Sequence, residues 1–182
     1  MIRYHLVDRV ACASTPYRGV DRLPPLWRDD VPIDPEHDAL CSELAEQGDF
    51  VRDRVVALDL ARRFGTIRVD VEVIASDTKL GGYDRGDILL GYDVTWFSYH
   101  SFLADGPEQL LRPFVSSKPT VVLSIVADLF APRLNANWLF SRPDDALRFR
   151  EDIRAAKALD QALFENDIGF APQAYAIYEV SR

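Results

Sequence analysis

Residues 66–76, TIRVDVEVIAS, constrain the fold more than any other stretch. Ile67, Val69, Val71, Val73 and Ala75 alternate with Arg68, Asp70 and Glu72. A strict period of two puts the apolar set on one face of a β-strand and the polar set on the other. One polar face predicts an antiparallel, half-solvated strand. The turn-rich segment from Gly81 to Asp87 then reads as a tip, and 88–95 (ILLGYDVT) as the returning strand. A hairpin with a long tip is therefore expected.

The other strand signals lie apart from this pair. Ile2, Tyr4 and Leu6 alternate with Arg3, His5 and Val7; 120–126 (TVVLSIV) is an apolar, β-rich run; 174–180 (AYAIYEV) closes the chain's pattern. Helices separate them. Asp34 can cap and Pro35 can open a first helix carrying Ala39, Leu40 and Leu44, stopped by Gly48. A second spans about 50–63, with Phe50, Val55, Leu58 and Leu60, and ends at Gly65. Short helices are expected over 96–104 and 107–115. The longest, 143–166, follows the capping signature Ser141-x-x-Asp144 and repeats Ala146, Phe149, Ile153, Ala156, Leu159 and Leu163 at spacings of three and four. A hairpin plus separated strands, without regular βαβ alternation, predicts an α+β fold: an antiparallel or mixed sheet with helices packed on it.

An arm at about 12–35 holds Pro16, Pro24, Pro25, Pro32 and Pro35. Proline at this density denies both helix and central strand. Tyr17, Leu26 and Trp27 in the same arm are apolar anchors, so it is expected to pack across the domain. With 182 residues, 48% of them hydrophobic, the chain is expected to form one domain over 1–182.

Charge narrows the partners. Twenty-nine acidic residues against 21 basic ones leave a net charge of -8. That field repels phosphate backbones and argues against nucleic acid. It steers basic partners inward, and it also serves plain solubility. No apolar run approaches the ~20 residues a membrane helix requires. The opening MIRYHLVDRV is interrupted by Arg3, Asp8 and Arg9 and reads as a strand, not a signal peptide. Cys12 and Cys41 have neither zinc spacing nor a disulfide framework. The expectation is a cytoplasmic protein with reduced thiols, no membrane segment, no metal and no cofactor.

Candidate chemistry is sparse. Of the three histidines, His5 lies within the first strand and His37 in the first turn of a helix, where a cation is disfavoured and a surface position is expected. His100 lies in 95–101 (TWFSYHS), at a strand exit, with Asp93 before it. Ser98, His100 and Asp93 are the candidate catalytic group of a small enzyme or ligand-binding protein. No Gly-x-Ser-x-Gly elbow surrounds Ser98, and positions 98 and 100 diverge on a helix, so a packed structural cluster competes with catalysis. Asp84 and Asp87 lack the alternating oxygen ligands of a calcium loop. Asp70, Glu72, Asp84 and Asp87 instead form a candidate acidic edge for a basic partner. In 134–140 (LNANWLF), asparagines suited to a turn precede large apolar groups, which predicts a turn dropping Trp138 and Phe140 into the core.

Three segments together carry a resemblance: Gly91-Tyr92-Asp93-Val94, then Leu134-Asn135 with Leu139-Phe140, then the strand Ala174–Val180. Their order and spacing resemble a group of small uncharacterised bacterial proteins of immunity type, found near secreted toxin systems. The likeness covers the chain from about residue 85. Asn137-Trp138 stands where that group has a smaller residue such as glycine, and the proline-rich arm has no counterpart. The resemblance implies a non-enzymatic, protein-binding role that neutralises a basic toxin or similar partner. It supplies no catalytic residues.

Overall fold

The computed structural model describes residues 2–8, 35–47, 50–67, 71–81, 86–95, 129–137, 139–159 and 173–181. The expected arm up to residue 34, the helices at 96–104 and 107–115, and the strand at 120–126 lie outside these residues. The described strands are β1 (Ile2–Asp8), β2 (Val71–Asp77), β3 (Ile88–Thr95) and β4 (Gln173–Glu179). The helices are α1 (Pro35–Glu46), α2 (Arg54–Thr66) and α3 (Pro143–Leu159), with a 3-10 turn at Ala131–Arg133. The fold is α+β.

The strands form one antiparallel sheet in the order β1-β2-β4-β3. This corrects the expected hairpin. β2 and β3 are not neighbours; β4 is inserted between them, with Ser76 opposite Ile177 on one side and Tyr92 opposite Ala176 on the other. Turn residues set where a chain reverses, not which strand fills the gap. The half-solvated strand is corrected too. β2 is central, and Ile74 and Ser76 on its second face are as buried as Val73 and Ala75. β4, also central, is buried from Ala174 through Tyr178.

All three described helices contribute to one side of the sheet. Tyr4 and Leu6, Val71, Val73 and Ala75, Ala174, Ala176 and Tyr178, and Tyr92 and Val94 share one core with them. α2 adds Ala57, Leu60, Ala61 and Phe64, a 3-4 stripe that starts later than the expected helix at 50–63. Its start is fixed by Asp53, whose Oδ1 accepts the Val55 and Val56 N–H groups at 2.7 and 3.3 Å. α3 adds Ala146, Phe149 and Ile153. The Arg142 carbonyl accepts the Ala146 N–H, so α3 is entered at Arg142 and not at the expected cap Ser141. Phe130, Phe140 and Phe149 pack with ring centroids 5.2–5.9 Å apart.

α1 carries His37, Leu40, Cys41 and Leu44 on its buried stripe. His37 is thus a core residue, edge-on to Phe64 at 6.2 Å, and not the surface residue its place in the first turn suggested. The spacing 37-40-41-44 overrides that local argument. Among the described residues no helix is long and apolar enough to cross a membrane.

Candidate functional site

The face of the sheet opposite the helices carries Arg3 and His5 from β1, Ser76 and Ile74 from β2, Tyr175 and Ile177 from β4, and Asp93 from β3. Strand pleating places them together: Arg3 opposes Ser76, His5 opposes Ile74, and Asp93 opposes Tyr175. His5 and Ser76 are buried and share a hydrogen bond of 3.0 Å between Nε2 and Oγ. Burial, with the Arg3 guanidinium adding to it, pushes the His5 pKa down to about 3. The imidazole is therefore neutral throughout the physiological range. It acts as a fixed hydrogen-bond partner in the sheet.

Asp93 is 0% exposed, and its Oδ1 accepts the Val94 N–H at 2.8 Å. Ser98 and His100, the other members of the candidate catalytic group, lie outside the described residues. Cys41 and His37 bring a thiol and a ring within 3.9 Å. Burial, reinforced by Asp38, pushes the thiol up to about 11, so it is not a thiolate nucleophile. Among the described residues no group of His, Cys, Asp and Glu is arranged to hold a metal.

Of the four carboxylates of the candidate acidic edge, Asp70 and Asp84 lie outside the described residues. Glu72 is half-buried on β2. Asp87 faces inward: its side chain is 0% exposed, its Oδ1 accepts from Arg54 Nη2 at 3.1 Å, and the same oxygen accepts the Ser181 N–H at 3.0 Å. Arg54 Nη2 also donates to the Ser181 carbonyl at 2.9 Å, and Ser181 Oγ to that of Gly86 at 3.1 Å. This clamp joins the start of α2, the start of β3 and the end of β4.

Around the clamp stand residues that sequence reasoning did not single out as a surface. Val55 is 74% exposed and Val56 37%, while Ile88 is 59% and Leu89 45%. They flank Arg54 and Asp87 in sequence, so the 3.1 Å bridge brings both pairs to one end of the molecule. The sequence pattern puts Val55 on the apolar face of a helix beginning at 50; the Asp53 cap rotates that face onto Ala57 and Leu60.

The segments that carry the resemblance form one physical unit. β3 bulges at Leu90, and Gly91 there has φ +148°. Tyr92 and Phe140 exchange N–H···O bonds of 2.9 and 2.8 Å. Asn135 binds the loop to itself and to the bulge: Nδ2 donates to the Leu90 carbonyl at 2.8 Å, and Oδ1 accepts from the Asn137 and Leu139 N–H groups. The expected delivery of Phe140 to the core is found; Trp138 lies outside the described residues. Leu139 goes to the opposite face, beside Ile177. No family model, curated protein or solved structure was found to match this chain.

Proposed function

We propose that the chain is a non-enzymatic protein-binding domain of immunity type, acting inside the cell by occupying a basic toxin or similar basic protein. The observation that carries this reading is the exposure of Val55, Val56 and Leu89 beside the Arg54–Asp87 bridge, on the side of the sheet that the helices occupy. Large aliphatic groups exposed together support an interaction surface, because each loses its unfavourable hydration when a partner covers it. By contrast, the described polar groups with reactive potential are turned inward. His5 is held neutral against Ser76, the Cys41 thiol is pushed up, and Asp87 is held by Arg54.

The net charge of -8 supplies the second half of the argument. It accelerates encounter with a basic partner, while the apolar patch slows departure. The experiment is co-expression with the basic proteins encoded next to this chain's gene, with growth as the readout. Rescue from one of them is expected, and rescue is expected to disappear in Val55→Asp/Leu89→Asp with the fold retained by circular dichroism. Absence of rescue from every neighbouring product rejects the reading, as does rescue that survives the double substitution.

A further inference from the structure

Arg3 stands out among the described arginines by lying on the buried face of the sheet. Arg54, Arg62, Arg63, Arg133, Arg150 and Arg154 each hold a carboxylate within 2.6–3.1 Å. Arg3 makes no ion pair among the described residues, although the chain has 29 carboxylates to offer. Its Nε is buried without a hydrogen-bond partner. Arg54 Nε is buried without a partner too, but Arg54 spends Nη2 on Asp87 and Ser181, whereas Arg3 meets no carboxylate among the described residues.

Two aromatic rings stand beside it. The guanidinium carbon lies 4.6 Å from the Phe50 ring centroid and 5.8 Å from that of Tyr175. Ser76, directly opposite on β2, is small enough for the side chain to reach over it towards β4. Arg52 lies against the same Phe50 ring, at 5.8 Å. Two like charges thus share one aromatic ring, and their repulsion is relieved by a bound anion. His5 next door stays uncharged and adds no third cation.

We propose that Arg3, with Phe50, Tyr175 and Arg52, forms a recognition site for a carboxylate group carried on an apolar or aromatic body. Planar two-oxygen geometry matches the guanidinium fork that contains the unpartnered Nε. The two rings supply the wall for the apolar body. This inference is independent of the protein-binding reading, since it concerns a different surface and neither needs the other.

The test is titration of the intact chain with sodium benzoate at constant ionic strength, following by NMR the backbone amide resonances of β1 and of residues 50–52 in every variant, and the Arg3 Nε–Hε resonance where Arg3 is present. A saturable shift is expected with Kd on the order of 1 mM or tighter. Arg3→Lys keeps the charge and loses the fork, so its affinity is expected to fall about tenfold or more. Arg52→Gln, at an exposed position that leaves the core intact, is expected to weaken binding severalfold. No saturable shift in the unmodified chain overturns the proposal, as does unchanged affinity in both variants. Inorganic phosphate binding about tenfold more tightly than benzoate overturns the carboxylate assignment.

Discussion

Substituting Gly91 by alanine tests the bulged unit where it is tightest. A Cβ at this position would meet the Leu139 Cβ at 2.7 Å, the Phe140 carbonyl oxygen at 2.8 Å and Asn135 Nδ2 at 3.0 Å. Comfortable carbon–carbon contact begins near ~3.5 Å, so the loop must retreat. The backbone adds its own cost, because φ +148° is poorly tolerated by a residue with a side chain, at about 1–3 kcal/mol. Retreat also stretches the Tyr92–Phe140 pair and the Asn135–Leu90 bond, each worth about 1 kcal/mol. Together these predict a loss of about 3–5 kcal/mol, a large share of the ~5–15 kcal/mol typical of a domain. Urea unfolding followed by fluorescence and circular dichroism measures it, with an unchanged m-value marking a pure stability effect. Gly65→Ala is the control: nothing lies within 4 Å of its Cβ, it is exposed near the end of α2, and the change should be neutral or stabilise by up to about 1 kcal/mol. A loss below about 1 kcal/mol at Gly91, or equal effects at the two glycines, refutes the close-approach reasoning.

Two further outcomes follow from the buried polar groups. His5 titrates at about 3 in the fold against 6.5 when unfolded, so the unfolded state alone takes up a proton between those values. Stability is whole above pH 6.5 and drains as pH falls towards 3, with a ceiling of about 5 kcal/mol from this one group. His5→Gln should flatten the acid limb by about one proton, read from urea midpoints between pH 7 and 4; an unaltered slope rejects the assignment. Asp87→Ala takes the carboxylate from Arg54 and the acceptor from the Ser181 N–H and should cost about 1–3 kcal/mol, reduced from the fully buried case because Arg54 is 28% exposed and keeps the Ser181 carbonyl. A double-mutant cycle with Arg54→Met isolates the pair, and a coupling indistinguishable from zero removes the clamp from the account.

The periodic elements were legible because their signals are local. Pro35 opens α1 as the sequence predicted, and Ala146, Phe149 and Ile153 face the core of α3 as their spacing required. Sheet order was not legible. β2 and β3 are separated by about ten residues of turn-forming sequence, yet β4, from the far end of the chain, lies between them. Nothing within either strand encodes an absent neighbour. The charged positions of 66–76 also misled: Glu72 is half-buried, Ile74 and Ser76 are buried, and a pattern that looked half-solvated belongs to a central strand. The Arg3, His5 and Ser76 group escaped notice for the same reason. Its members are seventy residues apart and meet only through the β1–β2 register. The alternation of Ile2, Tyr4 and Leu6 did place Arg3 and His5 on one face, and that was the available signal.

The way the sheet is closed decides how a protein can bind it. An edge strand with open N–H and C=O groups invites strand addition. At β1 the groups of Tyr4 are taken by Val51, through bonds of 2.8 and 2.9 Å. At β3 the Leu90 carbonyl is taken by Asn135 and both groups of Tyr92 by Phe140. Two residues further on, the Val94 N–H faces the same outer side and is taken by the Asp93 carboxylate. Strand addition is thus blocked from Leu90 to Val94 by a loop, a bridge and a side chain. Asp93 therefore has a structural task at the strand exit where chemistry was sought. The exposed aliphatic groups beside Arg54–Asp87 stand at the end of β3 that this loop does not cover. A partner held there should be lost by Leu89→Asp, with the fold retained by circular dichroism.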